Sequence, residues 1–298
     1  MKKIILITGT SSGFGKMAAE TLAQAGHLVY GSMRDIKGRN KANKAASDQY
    51  SVDNKVFLNT LELDVCDQTS IDAAVTQIIE QQDKIDVIIH NAGHLMVGPT
   101  EAFSPEEILH LYDVNVAGTQ RVNRAVLPHM REAGEGLVVW IGSSSTSGGT
   151  PPYLAPYFAA KAGMDALAVS YSAELSRWGI ETSIIVPGAF TKGTNHFQNA
   201  GHPKDEACVE AYAKGPTSNI LEIAIPALAA LEPADADPQE VASAILDVVN
   251  IDHGKRPFRV HIDPIGDGAE EVDKIKDRIQ AEMLRRIGLE DLLKPAIK

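Results

Sequence analysis

Short apolar segments rich in isoleucine and valine alternate along the chain with longer segments whose apolar residues recur at helical spacing. The short segments lack strict apolar–polar alternation, which is typical of strands that helices cover on both faces. Strands that alternate with helices predict right-handed crossovers and an α/β fold with a doubly wound parallel sheet of seven strands. The predicted strands are Ile4–Ile7, Leu28–Gly31, Val56–Leu63, Val87–Ile89, Leu137–Ile141, Thr182–Val186 and Phe258–Ile262. The predicted helices are Gly15–Ala25, Ser70–Gln81, Glu106–Arg131 and Tyr157–Trp178.

No Gly/Ser-rich or Pro-rich linker divides the chain, so residues 1–298 are predicted to form one domain. Residues 191–238 follow the sixth predicted strand and mix Gly, Pro, His and Asn with short helical segments. Open α/β sheets bind ligands at the carboxyl ends of their strands, so we expect this segment to contact substrate. Residues 263–298 form a C-terminal extension, in which Glu270–Ile287 has the pattern of a charged amphipathic helix. The extension either modifies assembly or covers the surface.

Composition and charge narrow the functional classes. The 298 residues are 44% hydrophobic and 22% charged, close to the averages of globular proteins. The formal net charge of −11 opposes binding to nucleic acid and to anionic membranes. Cys66 and Cys208 lie far apart, which excludes a disulfide framework and a thiolate metal cluster. The run Ile4–Ile7 is too short for a secretory signal, so we expect a cytoplasmic protein that acts on a small molecule without a metal.

A glycine-rich turn joins the first predicted strand to the first predicted helix. Gly9, Gly13 and Gly15 have the spacing G-x-x-x-G-x-G, which differs from the commoner dinucleotide pattern G-x-G-x-x-G. Glycines at such a turn allow the backbone to approach a pyrophosphate at the positive end of the helix. An ordinary strand–helix turn is the alternative interpretation of this motif alone.

Tyr157 and Lys161 lie four residues apart at the start of a predicted helix, so their side chains share one face. A cation beside a phenol favours the phenolate and lowers the tyrosine pKa, which suits proton exchange with an alcohol. Ser144 lies thirteen residues before Tyr157, just after the fifth strand, and its hydroxyl could bind the same carbonyl oxygen. Because Ser143 and Ser145 flank it, this assignment rests on the spacing. A solvated surface pair is the alternative interpretation of Tyr157 and Lys161 in isolation.

Taken together, seven motifs in this order resemble the short-chain dehydrogenase/reductase family, in its single-domain branch with a Rossmann-type sheet. The resemblance covers about residues 3–195. The motifs are Thr8-Gly9-x-x-x-Gly13-x-Gly15, Asp64, Asn91-Ala92-Gly93, Asn115, Ser144, Tyr157-x-x-x-Lys161, and Pro187-Gly188 with Thr191.

The resemblance implies an oxidoreductase that transfers hydride with a nicotinamide cofactor. It makes Tyr157 the general acid/base, and it makes Lys161 the residue that holds the nicotinamide ribose and lowers the tyrosine pKa. Ser144 would orient the substrate carbonyl, and Asn115 would anchor a water that relays protons from Lys161. The implied cofactor contacts are Gly9, Ser11, Ser12, Gly13, Phe14, Gly15, Arg34, Asp64, Val65, Asn91, Ala92, Gly93, Tyr157, Lys161, Pro187, Gly188 and Thr191.

The second predicted strand bears on the choice of cofactor. NAD-binding relatives usually carry an acidic residue at the end of this strand, whereas this chain has Met33 followed by Arg34. A guanidinium suits the 2′-phosphate of NADP(H) through paired hydrogen bonds. Asp35 weakens this argument if it reaches inward, and Arg34 could instead be a surface charge paired with Asp35. We therefore expect NADP(H) to be preferred, with NAD(H) possible.

The predicted substrate wall consists of Leu95–Val97, Gly148–Ala155 and residues 191–238. Mostly apolar walls around one polar centre fit a hydrophobic ketone or secondary alcohol, steroid-like or xenobiotic by resemblance. The named apolar contributors are Tyr153, Leu154, Phe190 and Phe197.

Two other functional classes stay open. One is a catalytically silent cofactor-binding sensor or scaffold on the same fold. The other is an isomerase or dehydratase that uses the same tyrosine. The many small residues of the Tyr157–Trp178 helix allow close helix approach, and family members commonly pair this helix and Glu106–Arg131 across subunits. We therefore expect a homodimer or homotetramer.

Overall fold

A seven-stranded sheet, parallel throughout, forms the centre of the fold, and the computed structural model describes residues 2–195 and 197–297. The strands are β1 (Ile4–Ile7), β2 (Leu28–Met33), β3 (Leu58–Glu62), β4 (Val87–His90), β5 (Gly136–Ile141), β6 (Ile180–Pro187) and β7 (Arg259–Ile262). Their order is β3-β2-β1-β4-β5-β6-β7, so the chain reverses its direction of travel between β3 and β4. The predicted doubly wound sheet is confirmed, and its ligand site is expected where the winding reverses, beside β1 and β4.

Helices cover both faces of this sheet. They are α1 (Gly13–Gln24), α2 (Lys41–Asn54), α3 (Gln68–Gln82), α4 (Pro105–Tyr112), α5 (Gly118–Ala133), α6 (Ala155–Ser176), α7 (Glu206–Lys214), α8 (Ile220–Leu231), α9 (Gln239–Asn250) and α10 (Ala269–Arg286). Helix α2 was not predicted, because it buries none of its residues and so shows no apolar stripe. Among the described residues, none of the helices combines the length and apolar character needed to span a bilayer.

The two faces of the sheet carry separate hydrophobic cores. On β1, Leu6 points into a core that α3, α5 and α6 share. Ile5 and Ile7 point into the opposite core, which α1 and α9 close. Both sides of the strand are therefore dry, which explains why its sequence is continuously apolar instead of alternating.

The helix predicted over Glu106–Arg131 is interrupted by a π-helical turn at Asp113–Ala117. Its first half, α4, begins with a capping box in which Ser104 Oγ accepts from Glu107 N at 3.2 Å and Glu107 Oε2 accepts from Ser104 N at 2.9 Å. The turn inserts an extra residue into the helix and rotates Asn115 toward the sheet edge. Such turns often occur at functional sites.

A buried ion network joins the C-terminal extension to the rest of the fold. Arg259 on β7 donates to Asp165 on α6 at 3.1 Å and to Asp277 on α10 at 3.0 Å. The side chains of Arg259 and Asp165 are only 4% and 7% exposed. The predicted C-terminal helix is therefore attached to the helix that carries Tyr157 and Lys161.

Removal of the guanidinium from this network should destabilise the fold. The Arg259→Met variant leaves the buried Asp165 carboxylate without its main partner, which is expected to cost about 3–5 kcal/mol of unfolding free energy. Arg177→Met, which breaks the exposed pair with Asp291, is the matched control and should change little. Urea denaturation of both variants checks this, and equal shifts of the two midpoints would contradict it.

Candidate active site

An open cleft of about 490 Å³ lies at the carboxyl edge of the sheet, and it brings together nearly all of the sequence-predicted residues. Of the residues predicted for catalysis or cofactor binding, Gly15 and Thr191 do not line it. Those that do are Gly9, Ser11, Ser12, Gly13, Phe14, Arg34, Asp64, Val65, Asn91, Ala92, Gly93, Asn115, Ser144, Tyr157, Lys161, Pro187 and Gly188.

The glycine-rich turn forms one end of the cleft. Gly9 has φ +74°, and a Cβ there would lie 2.8 Å from the Cα of Ala92. Gly13 has φ +56°, and nothing lies within 4 Å of the place a Cβ would take, so its backbone is open to a ligand. At Gly15 a Cβ would come 2.2 Å from Nδ2 of Asn91, whose amide also donates to the Gly9 carbonyl at 2.8 Å. Gly15 is thus required for the turn to pack on Asn91 and does not face the cleft.

Two arginines line the cleft near the end of β2. Arg34 was predicted there, and Arg39 was not. Asp35 has φ +49° and turns away from the cleft, where its carboxylate accepts from Gly38 N at 3.1 Å and Arg39 N at 2.8 Å. Asp35 therefore closes a surface turn, and this turn brings Arg39 back to the cleft beside Arg34.

Asp64 follows β3 and lies in the cleft wall with Val65. The cap of α3 is Asp67, which accepts from Thr69 N at 2.9 Å. The Asp64 carboxylate accepts from Cys66 N at 2.9 Å, which fixes the loop at this side of the cleft.

Tyr157 and Lys161 lie on one face of α6, as predicted, and point into the cleft. Their side chains are largely buried, with residues 9% and 6% exposed. The Lys161 Nζ lies 5.9 Å from the centre of the tyrosine ring and donates to the Ile141 carbonyl at 2.8 Å. Tyr157 packs in an apolar cluster that includes Leu95 and Leu154.

Burial controls the protonation of this pair. It raises the pKa of Tyr157 to about 12, although a hydrogen bond from Ser143 opposes the rise. It lowers the pKa of Lys161 to about 8. The expected lowering of the tyrosine pKa by Lys161 is not found, because the ammonium is directed at the Ile141 carbonyl and desolvation of the phenolate outweighs other effects. Tyr157 is therefore protonated at neutral pH.

The Ser143 side chain hydrogen-bonds to Tyr157. Ser143 has extended backbone at the end of β5, with its Oγ 2.8 Å from the Oγ of Ser145. A 3₁₀ turn starts at Ser144 and points its hydroxyl toward Asp267, to which it hydrogen-bonds. Both serines line the cleft, so the assignment of Ser144 to the substrate carbonyl stays a prediction.

Asn115 lies in the π-helical turn at the floor of the cleft. Its amide nitrogen donates to the Leu111 carbonyl at 3.0 Å and to the His94 carbonyl at 3.3 Å. Within the described part of the chain, its Oδ1 is buried and has no hydrogen-bond partner. A buried acceptor of this kind is satisfied by a water or a ligand group.

The loop after β6 differs from the prediction at one residue. Pro187 and Gly188 line the cleft, but Thr191 does not, because its hydroxyl and its backbone N–H both donate to the buried Glu232. Thr194 lines the cleft instead. Nothing in the local sequence identifies Glu232 as the partner that draws Thr191 away.

The end of the cleft beyond Tyr157 has mainly apolar walls. Leu154, Phe190 and Phe197 line it as predicted, whereas Tyr153 packs on Tyr212 with ring centres 6.2 Å apart. Leu228 on α8 also lines the cleft and lies within the predicted wall segment 191–238, whereas Ile265 and Asp267, from the loop after β7, were not predicted.

Comparisons with known proteins agree with this geometry. Residues 3–205 match the protein family described as short chain dehydrogenase. A 3-ketodihydrosphingosine reductase from Bacteroides thetaiotaomicron is 34% identical over 197 residues, which are 66% of this chain and 67% of that protein. A short-chain dehydrogenase from Streptomyces avermitilis has a TM-score of 0.72 and 28% identity, over 96% of this chain and 97% of that one. An actinorhodin polyketide ketoreductase variant with NADPH has a TM-score of 0.72 and 25% identity, over 89% of this chain and 97% of that one.

The buried ammonium should make stability depend on pH. The pKa of Lys161 is 10.5 when exposed and about 8 in the fold, so between these values the unfolded chain binds more protons. The free energy of unfolding should therefore rise with pH across this window, by about 3 kcal/mol relative to Lys161→Met.

Denaturant titrations of the wild type and Lys161→Met at several pH values measure this difference. Lys214→Met, which removes a surface lysine paired with Glu210, is the control for a lost surface charge. The unfolding free energy of the wild type minus that of Lys161→Met should rise between pH 8 and 10.5. A difference that stays constant or falls would argue against a buried ammonium at Lys161.

Proposed function

The chain belongs to the short-chain dehydrogenase/reductase family, and from that premise we propose that it is an NADP(H)-dependent oxidoreductase. It interconverts a ketone and a secondary alcohol on a hydrophobic substrate. The observation that carries the proposal is the buried Tyr157 hydroxyl, which faces the cleft with Ser143 on one side and Lys161 one helical turn away.

The residues present fit a dinucleotide. Gly9 and Gly13 leave the backbone of the first turn accessible to a ligand. The buried Oδ1 of Asn115, which has no hydrogen-bond partner among the described residues, can accept from a bound ligand or water. The nicotinamide, when bound, supplies or accepts the hydride. The pyrophosphate would be held by Gly9, Ser11, Ser12, Gly13 and Phe14. The adenine would be held by Asp64 with Val65. The nicotinamide half would be held by Asn91, Ala92, Gly93, Pro187 and Gly188.

Tyr157 acts on the substrate oxygen. In the reduction, its Oη gives a proton to the carbonyl oxygen as hydride reaches the carbonyl carbon, so the product is a neutral alcohol and a phenolate remains. The hydroxyl of Ser143 donates to the same carbonyl oxygen and orients it. In the oxidation, the phenolate takes the proton back from the alcohol.

Lys161 returns a proton to the Tyr157 phenolate after the reduction. A pKa of about 8 allows the Lys161 ammonium to give up a proton near neutral pH, and that proton can return to the phenolate. Asn115, at the floor of the cleft, would hold the water through which that proton is replaced. The raised pKa of Tyr157 keeps the phenol protonated before hydride transfer, as a proton donor to the carbonyl oxygen must be.

The preference for NADP(H) rests on the two arginines that line the cleft after β2. Met33 occupies the position of the acidic residue that NAD-binding relatives carry, and Asp35 is turned away by its bonds to Gly38 and Arg39. Two guanidiniums beside a ribose suit a 2′-phosphate. The actinorhodin ketoreductase variant, which was solved with NADPH, supports this choice.

The substrate is proposed to be a hydrophobic ketone or its alcohol. Leu154, Phe190, Phe197 and Leu228 give the far end of the cleft an apolar lining. The relative named 3-ketodihydrosphingosine reductase supports a ketone on an apolar skeleton.

Self-association through α6 is a further part of the proposal. Ala159, Ala162, Ala166 and Ser170 form an exposed row of small residues along this helix. Such a row allows two helices to approach closely, so a homodimer or homotetramer would bury it.

Three substitutions test the catalytic assignment. Tyr157→Phe should lower kcat for ketone reduction by about 10²- to 10⁴-fold, because the proton donor is gone, while NADPH binding persists. Ser143→Ala should lower kcat by about tenfold or more, and Ser144→Ala should cost less, since Ser143 bonds to Tyr157 whereas Ser144 bonds to Asp267.

Absorbance of the reduced nicotinamide measures turnover, and fluorescence titration measures NADPH binding. Full turnover by Tyr157→Phe would mean that another group carries the proton. A larger loss in Ser144→Ala than in Ser143→Ala would support the spacing-based assignment. NADPH binding without any turnover of ketones by the wild type would favour a silent sensor.

Cofactor preference is tested at Arg34. The Arg34→Ala variant should raise KM for NADPH by roughly tenfold to a hundredfold and leave KM for NADH nearly unchanged, because a hydrogen-bonded charge pair is lost only with the phosphate. Lys37→Ala is the matched control, since Lys37 is an exposed cation of the same loop that does not line the cleft. Equal effects on both cofactors would contradict phosphate recognition by Arg34.

A further inference from the structure

The C-terminal extension places a carboxylate in the wall of the substrate end of the cleft. Asp267 lies in the loop between β7 and α10, at the side of the sheet opposite the two arginines. The turns that would hold the adenosine and pyrophosphate follow β1 to β3, whereas Asp267 hydrogen-bonds to Ser144 in the serine loop that follows β5. It therefore lies on the side of the cleft where Ser143 meets Tyr157, away from Arg34 and Arg39.

The position of this carboxylate is fixed from several directions. It hydrogen-bonds to the Ser144 hydroxyl, and its Oδ1 accepts from Ala269 N at 3.0 Å. The backbone carbonyl of Asp267 accepts from Gly149 N at 2.9 Å. A Cβ at Gly148 would lie 2.2 Å from Oδ1, so only a glycine there leaves room for the carboxylate. These contacts therefore hold the Asp267 carboxylate in a fixed position in the cleft wall.

Within the described cleft lining, no cation is directed at the Asp267 carboxylate. Among the described residues, the other formally charged side chains that line the cleft are Arg34, Arg39, Asp64 and Lys161. The first three lie at the adenosine end, and Lys161 is directed at the Ile141 carbonyl. Partial burial raises the pKa of Asp267, and the neighbouring Asp263 carboxyl, which hydrogen-bonds to it, adds to the rise. A poorly solvated carboxylate gains most from a charged hydrogen-bond donor.

We propose, on the basis of the oxidoreductase function above, that Asp267 is a specificity-determining residue that selects ketones and alcohols carrying a protonated amine close to the reacting carbon. The ammonium N–H donates to the Asp267 carboxylate while Tyr157 and Ser143 hold the carbonyl oxygen. A substrate with a carboxylate at the same place is repelled.

Asp267 could alternatively act only by holding the serine loop, and Asp273 provides the control for that role. Asp273 on α10 is fully buried and accepts from the Ser147 hydroxyl and, at 3.0 Å, from His261. It anchors the same loop from behind and does not line the cleft. Asp273→Asn therefore weakens the anchor without taking a charge from the substrate end.

Three ketones that share one skeleton test the proposal. They are α-dimethylaminoacetophenone, assayed where its amine is protonated, its neutral carbon analogue isovalerophenone, and the anionic benzoylacetate. In Asp267→Asn, kcat/KM should fall about tenfold or more for the amine and change less than about threefold for isovalerophenone. It should rise for benzoylacetate. In Asp273→Asn, kcat/KM should change by about the same factor for all three ketones.

Calorimetric titration of the ketones into enzyme loaded with NADP⁺, which cannot reduce them, gives a readout that does not depend on turnover. The amine should bind about tenfold more weakly to Asp267→Asn than to the wild type, and isovalerophenone about equally. Parallel losses for all three ketones in Asp267→Asn, in turnover and in binding, would overturn the proposal and leave Asp267 a loop anchor. If no ketone is reduced by the wild type, the oxidoreductase function fails, and the binding ratio still decides whether Asp267 selects a cation.

Discussion

The site depends on the cost of keeping the Lys161 ammonium out of water. The fold meets part of that cost with the Ile141 carbonyl, which lies at the last residue of β5 and accepts from Nζ at 2.8 Å. That bond ties α6 to the strand whose next residues are the serine loop. Because Tyr157 lies one helical turn before Lys161, the same bond sets how far the phenol lies from Ser143. This one hydrogen bond therefore couples the burial of Lys161 to the positions of Tyr157 and Ser143.

The parts of this arrangement that depend on local chain geometry were predictable from the sequence. The strands could be identified because both faces of β1 and its neighbours are dry, so the runs are continuously apolar. Tyr157 and Lys161 share a face because helical periodicity places them there. The glycines at Gly9 and Gly13 were identifiable because the backbone conformations needed at the turn exclude most other residues.

Other parts depend on contacts between distant segments, and these the sequence did not predict. Ser143 faces Tyr157 because a turn directs Ser144 to Asp267, more than a hundred residues later in the chain. Thr191 leaves the cleft because Glu232 binds it. Arg39 reaches the cleft through the surface turn that Asp35 closes, and no periodic pattern marks that turn. The protonation of Tyr157 was also misjudged, since desolvation depends on packing that spacing alone does not reveal.

The extension after β7 shows how these distant contacts act together. Arg259 binds Asp165, which lies one helical turn beyond Lys161, so the charge network of α10 bears on the helix that carries the catalytic pair. Asp273 holds Ser147, and Asp267 holds Ser144 and Gly149, so the same extension bears on the serine loop. The helix that carries Tyr157 and the serine loop therefore both contact α10 or the loop before it. These contacts go beyond covering the surface, and we expect a change in the extension to alter the distance between Tyr157 and Ser143.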